Sequence, residues 1–95
     1  LLVMTWTDEG DLENQIAYSR TPHDRVYVIA YSSIVGGTRF GRVSVLPHDS
    51  EAYARALYGE LHRCDADGAE LIVVEAVPKR GGWEAIADRL QRAGV

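Results

Sequence analysis

The residues best suited to chemistry lie in the turn before Trp83, where two cations precede two glycines: Pro78, Lys79, Arg80, Gly81 and Gly82. The turn follows a predicted strand and opens a predicted helix. Backbone N–H groups, a helix dipole and two side-chain cations together favour a phosphate or another anion, and glycine lets a ligand approach the backbone. The spacing matches neither G-x-x-x-x-G-K-S/T nor G-x-G-x-x-G. A solvated turn that needs glycine to bend therefore stays as the alternative.

Two further stretches are candidates for binding. Glu75 interrupts an apolar strand, and a buried carboxylate needs a partner. Arg89 or Arg63 could form an ion pair with it at the end of the strand. The stretch Ser33–Gly41 contains three glycines, which predicts either a loop that covers a ligand or a long surface connection.

The remaining reactive side chains do not form a catalytic or metal-binding pattern. His23, His48 and His62 lack the spacing of a metal pair, so we predict no metal site. Cys64 lies on the apolar face of a predicted helix, which favours a small buried hydrophobe over a nucleophile. No pair of groups has the spacing for acid–base or nucleophilic work, so we predict no catalytic residue and no cofactor in this domain.

Composition narrows the class of protein further. The chain has 95 residues, of which 10 are basic and 14 acidic, with a net charge of −4, and this length corresponds to one small domain. Mild acidity argues against nucleic-acid binding through a broad basic surface. No apolar run approaches the roughly 18 residues of a membrane span. One cysteine cannot form a disulfide framework, which favours a cytoplasmic setting.

The helices and strands that must position the candidate residues follow from the apolar spacing, which predicts the element order β-α-β-β-α-β-α. Predicted strands cover 1–6, 26–31, 43–46 and 71–77, and predicted helices cover 9–19, 52–64 and 83–93. Thr7 or Asp8 caps the first helix, Asp49 or Ser50 caps the second, and Gly68 suits the end of the second. The alternation predicts an α/β three-layer sandwich with a mostly parallel sheet of about four to five strands and about three helices. The piece after the second strand leaves room for an antiparallel edge.

The second half of the chain resembles a known family. Tyr53–Asp65 is similar to the pattern YA-x-x-LY-x-x-L-basic-x-x-D, and Gly68 and the strand Leu71–Glu75 follow it. The last helix fits the pattern G-x-x-A-x-x-N/D-RL-x-K/R-A, through Gly82, Ala85, Asp88, Arg89, Leu90, Arg92 and Ala93. This succession resembles the C-terminal accessory domain of the long, two-domain threonylcarbamoyl-AMP synthases, mainly over residues 43–93. His62 and Trp83 depart from it, because the family usually has Arg and a small turn residue there.

The resemblance implies a single Rossmann-like accessory domain over residues 1–95, without the YrdC-like catalytic domain that comes first in the family. The start at Leu1 rather than Met also predicts a piece of a longer enzyme. The parent enzymes join L-threonine, bicarbonate and ATP into threonylcarbamoyl-adenylate and pyrophosphate, for a modification of tRNA. ATP and L-threonine are thus implied only for the catalytic domain. Asp65, Glu75 and Arg89 match family positions and are candidates for domain integrity as much as for ligand contact.

On this resemblance we expect a non-catalytic accessory or regulatory domain. It would dock on the YrdC-like catalytic domain, in cis or in trans, or gate its active site. One alternative is a free-standing module that binds a small molecule or nucleotide beyond the carboxyl ends of the strands. The other alternative is a homodimeric protein-interaction domain. We expect no direct contact with nucleic acid or with a membrane.

Overall fold

The computed structural model describes residues 1–33 and 40–93. The strands are β1 (Leu2–Met4), β2 (Val26–Ala30), β3 (Arg42–Val45) and β4 (Leu71–Glu75). The α-helices are α1 (Glu9–Ile16), α2 (Ser50–Ala66) and α3 (Glu84–Ala93), and short 3-10 turns lie at Ala17–Ser19, His23–Arg25 and Gly81–Trp83. Most of the predicted stretch Ser33–Gly41 falls outside the described residues.

The four strands form one parallel sheet in the order β1-β4-β2-β3. The prediction of a mostly parallel α/β sandwich is confirmed, and β3 runs parallel to β2. The piece after the second strand that left room for an antiparallel edge lies mostly outside the described residues. Gly41 explains the direction of β3, since its N–H donates to the carbonyls of His23 and Val26, each at 3.0 Å. These bonds hold the start of β3 beside the start of β2. A Cβ on residue 41 would collide with the Asp24 carbonyl oxygen, so this close approach requires glycine.

Helices cover both faces of the sheet. Successive side chains of β2 alternate between the faces: Val26 and Val28 pack with α1, whereas Tyr27 and Ile29 pack with α2 and α3. All five residues of β2 are buried, as an interior parallel strand requires. Because all four strands are parallel, their carboxyl ends lie along the same end of the sheet.

The helix ends follow local sequence signals. Asp8 caps α1 by accepting from the Asp11 N–H at 2.7 Å, and Asp49 caps α2 by accepting from the Ala52 N–H at 3.0 Å. Gly68 has φ +82° just beyond α2, as expected for its left-handed position. The first helix is shorter than predicted, because a 3-10 turn replaces α-helix after Ile16.

Candidate functional site at the carboxyl edge of the sheet

Glu75 lies at the carboxyl end of β4 and binds the backbone that follows β2. Its Oε1 accepts from the N–H groups of Tyr31, Ser32 and Ser33 at 2.9, 2.9 and 3.0 Å, and its Oε2 accepts from Ser33 at 3.1 Å. The residue is 5% exposed. Successive N–H groups that converge on one point form an anion-binding nest. In this domain the anion is the protein's own carboxylate.

The predicted ion pair of Glu75 is wrong. Arg63 lies on α2, where its Nη1 is 4.0 Å from Glu60. Arg89 is exposed on α3 and lines an apolar groove of about 310 Å³ between α2 and α3. Sequence spacing could not identify the true partners of Glu75, because every residue contributes a backbone N–H and only the pairing of β4 with β2 decides which ones are near.

An aromatic cluster lies beside this carboxylate, on the face covered by α2 and α3. Tyr31 is at its centre, with its ring centroid 4.9 Å from that of His48, 6.0 Å from Tyr53 and 5.3 Å from Trp83. Burial and, to a lesser extent, the charge of Glu75 raise the pKa of Tyr31 above its ordinary value. Burial likewise raises the pKa of Tyr53. Both phenols therefore stay protonated at neutral pH, and the cluster supplies packing rather than a general base.

The turn with two cations separates into two parts. Both cations are exposed. Lys79 lines a crevice at the carboxyl end of the sheet, whereas Arg80 precedes the 3-10 turn that leads into α3. Gly81 has φ +61°, and a Cβ on Gly82 would lie 2.7 Å from the Ser50 Oγ at the start of α2. Both glycines thus have a structural cause, as the solvated-turn interpretation expects. The anion site proposed for this turn stays a prediction.

The crevice lies where the chain leaves two neighbouring strands toward opposite faces. It measures about 410 Å³ and opens between the carboxyl ends of β1 and β4 and the side of α3. β1 leads to α1 on one face of the sheet, and β4 leads to α3 on the other. Open parallel sheets bind ligands at such switch points. Val3, Val77 and Leu90 line the crevice with apolar groups, and Lys79 and Gln91 line it with polar ones.

The other matched polar positions are separate from this edge. Asp65 is exposed in the last turn of α2, near the opposite end of the sheet from Glu75, and its carbonyl accepts from the Gly68 N–H at 3.2 Å. Arg89 is on the helical surface. The structure therefore does not bring Asp65, Glu75 and Arg89 together in one site.

A buried polar cluster lies between β3 and α2, at residues that the sequence did not indicate as a site. The carboxylate of Glu60 is 5% exposed and accepts from the Ser44 Oγ at 2.6 Å and from the Arg42 Nε at 2.8 Å. Burial alone raises the pKa of Glu60, but the bonds from Ser44 and Arg42 outweigh burial and lower it overall. Glu60 stands three residues after Leu57 and four before Cys64, both buried. This helical spacing places Glu60 on the buried face of α2, and it was the signal in the sequence for a buried carboxylate.

The described residues hold no group of three or more His, Cys, Asp or Glu side chains that could bind a metal ion. Cys64 is buried, and burial together with the nearby charge of Glu60 raises its pKa to about 11. The thiol is therefore protonated at neutral pH, and Cys64 behaves as a small buried hydrophobe rather than as a thiolate nucleophile. Within residues 1–33 and 40–93, none of the helices has the length and apolar character needed to cross a bilayer.

These features define a small three-layer domain with a parallel sheet, whose carboxyl edge carries a crevice and a carboxylate-filled amide nest. A model of the family described as threonylcarbamoyl-AMP synthase, C-terminal domain, matches residues 1–94. The chain belongs to this family, and the match extends the resemblance from residues 43–93 into the first half of the chain. No curated protein and no solved structure gives a significant match.

Proposed function

We propose that this chain is a non-catalytic accessory domain of a threonylcarbamoyl-AMP synthase. It docks on the YrdC-like catalytic domain, in cis or in trans, and controls access to the active site there. The resemblance implies that ATP and L-threonine bind to the catalytic domain, in the cytoplasm, on the route to modified tRNA. The family match over residues 1–94 supports the assignment to this enzyme.

The observation that carries the non-catalytic part of the proposal is the filled amide nest. A nest at the carboxyl ends of parallel strands is where an α/β domain would hold a nucleotide phosphate. Here Glu75 occupies it through the N–H groups of Tyr31, Ser32 and Ser33. A phosphate at this position would have to displace a buried carboxylate, and its negative charge would be repelled until it did so. This arrangement favours an accessory domain over a nucleotide-binding module.

A reconstitution experiment tests the proposal. The purified chain is mixed with the separately purified catalytic domain of a two-domain family member, and pyrophosphate release from ATP, L-threonine and bicarbonate is measured. We expect saturable binding by calorimetry and a change of about twofold or more in the rate of the catalytic domain, since a change of about 0.5 kcal/mol in an activation barrier corresponds to that factor. The chain without the catalytic domain should release no pyrophosphate.

Two results would contradict the proposal. Pyrophosphate release by the chain alone would show that the domain is catalytic. Absence of binding together with an unchanged rate, in a mixture where circular dichroism shows both domains folded, would show that it does not act on the catalytic domain. A titration with ATP, AMP and pyrophosphate, followed by Trp fluorescence, tests the nucleotide-binding alternative separately, because Trp83 lies in the aromatic cluster beside the nest.

A further inference from the structure

The outer edge of β1 has backbone groups that the described part of the chain leaves unpaired. In a parallel ladder, alternate residues direct both of their backbone groups toward the same neighbouring strand. The Ala76 N–H donates to the Met4 carbonyl at 2.9 Å, so the backbone groups of Met4 point toward β4. The backbone N–H and C=O of the adjacent residue Val3 therefore point away from β4. In the strand order β1-β4-β2-β3 no described strand lies beyond β1. Val3 therefore presents an N–H and a C=O on an open sheet edge.

The crevice lies directly along this open edge. Val3 is both the outward-facing residue of β1 and part of the crevice lining. Behind it the floor is apolar and buried, since Val77 is 7% exposed and Leu90 is 2% exposed. A strand paired with β1 would direct every second side chain to the face that α3 covers. The groove between β1 and α3 thus combines a hydrogen-bonding edge with room for an apolar side chain.

The charge at one end of this groove indicates which ligand the groove binds and in which direction that ligand runs. Lys79 lines the crevice at the carboxyl end of the sheet, is exposed, and forms no ion pair with the described residues. The four strands of the sheet are parallel. A further strand added in the same direction would end beside Lys79. A carboxylate at that end of the added strand would complement the ammonium group.

We propose that the groove between β1 and α3 binds an extended peptide segment of a partner protein. The segment adds as a fifth, parallel strand, pairs with the backbone of Val3, places an apolar side chain over Val77 and Leu90, and sets a carboxylate beside Lys79. This is strand addition, in which the backbone supplies affinity and alternate side chains supply specificity. The inference does not depend on the proposed function, because the chemistry of the groove specifies the segment and not the enzyme to which it belongs.

A defined peptide serves as the probe. It has seven residues in which threonine alternates with valine and ends in a free glutamate, and its fluorescein label is read by anisotropy at low salt. We expect saturable binding and slower hydrogen exchange of the Val3 N–H, by about tenfold at saturation, because that group becomes hydrogen-bonded. Lys79→Ala should weaken binding by about three- to fivefold, the upper part of the range for one exposed ion pair, and added salt should reduce this difference.

Matched controls separate the groove from general attraction to charge. Arg80→Ala removes the neighbouring exposed cation, which is not part of the groove, and should change the affinity by less than about twofold. The same peptide ending in glutamine with a terminal carboxamide, which carries neither carboxylate, should bind wild type and Lys79→Ala equally. Both variants alter exposed turn side chains, and circular dichroism verifies that they fold.

Several outcomes would overturn the inference. One is failure of the peptide to bind at millimolar concentration. Another is an equal loss of affinity in Lys79→Ala and Arg80→Ala, which would show attraction to charge alone. Protection of the β3 amides instead of Val3 would place the peptide on the other edge. Sedimentation that shows a concentration-dependent dimer, which the peptide dissociates, would identify a second copy of this chain as the occupant.

Discussion

Replacement of Glu75 by glutamine tests the central contact of the sheet edge. The substitution keeps the size of the side chain and one carbonyl oxygen, but it removes the negative charge. It also places an amide NH2 where the Oε2 atom now accepts from Ser33 at 3.1 Å. Two donors would then face each other. We expect Glu75→Gln to loosen the link between β4 and the backbone after β2.

The expected destabilisation follows from the bonds that change. Three N–H groups donate to the carboxylate. A hydrogen bond to a charged acceptor contributes about 1.5–3 kcal/mol and one to a neutral acceptor about 0.5–1.5 kcal/mol, so each weakened bond loses about 1 kcal/mol. The N–H groups are only partly buried, and water offsets part of the loss. We therefore expect about 2 kcal/mol, which lowers Tm by about 8–16 °C in a domain of this size.

Urea unfolding, followed by Trp fluorescence and far-UV circular dichroism, measures this difference. Glu70→Gln is the matched control, because Glu70 is exposed just before β4, and it should change stability by less than about 0.5 kcal/mol. Arg89→Ala should also change it by less than about 0.5 kcal/mol, since Arg89 does not contact Glu75. Equal stability of Glu75→Gln and Glu70→Gln would refute the reasoning. A large loss in Arg89→Ala would restore the ion pair that the sequence predicted.

Four further predictions concern the rest of the fold. Gly41→Ala should destabilise the domain by about 2 kcal/mol or more in urea unfolding, because its methyl group would meet the Asp24 carbonyl. Gly59→Ala, with open space around its Cβ in the middle of α2, should stabilise it by about 0.5–1 kcal/mol. Glu60 has a lowered pKa in the folded state, so its stabilisation is complete above its ordinary pKa of 4.5 and is lost as the pH falls through the lower value. Glu60→Gln should therefore be less stable than wild type at neutral pH, and unfolding curves should show the gap closing in acid; a constant gap would contradict this. Cys64, with a pKa of about 11, should react with an aromatic disulfide reagent at about pH 8 only after unfolding, and rapid reaction of the native protein would disprove its burial.

Local elements were predictable because their signals are local. The apolar run over 71–77 indicated a strand, which became β4, and Val73 and Val74 on its two faces are fully buried. The caps at Asp8 and Asp49 followed from residue type and position alone. The end of α2 followed from the tolerance of Gly68 for a left-handed conformation. In each case the stabilising contact lies within a few residues of the signal.

The direction of β3 was not predictable from its own residues. Four residues with alternating side chains can pair in either direction. What decides is the pair of bonds from Gly41 to His23 and Val26, which are 18 and 15 residues away in the chain. The glycine was visible in the sequence, but its reason, the carbonyl of Asp24 next to it, exists only in the folded state.

The candidate site shows the same division. The sequence by itself determined where the helices and strands lie, that a carboxylate ends the most apolar strand, and that two cations and two glycines follow it, because these properties depend on residue type and on near neighbours. The tertiary structure alone decided that β4 lies between β1 and β2. That order gives Glu75 three backbone partners after β2, and it opens the crevice beside Lys79 on the other side of the strand. Strand order minimises the free energy of the whole core, and contacts between residues more than forty positions apart, as between Tyr31 and Glu75, leave no periodic signal in the chain.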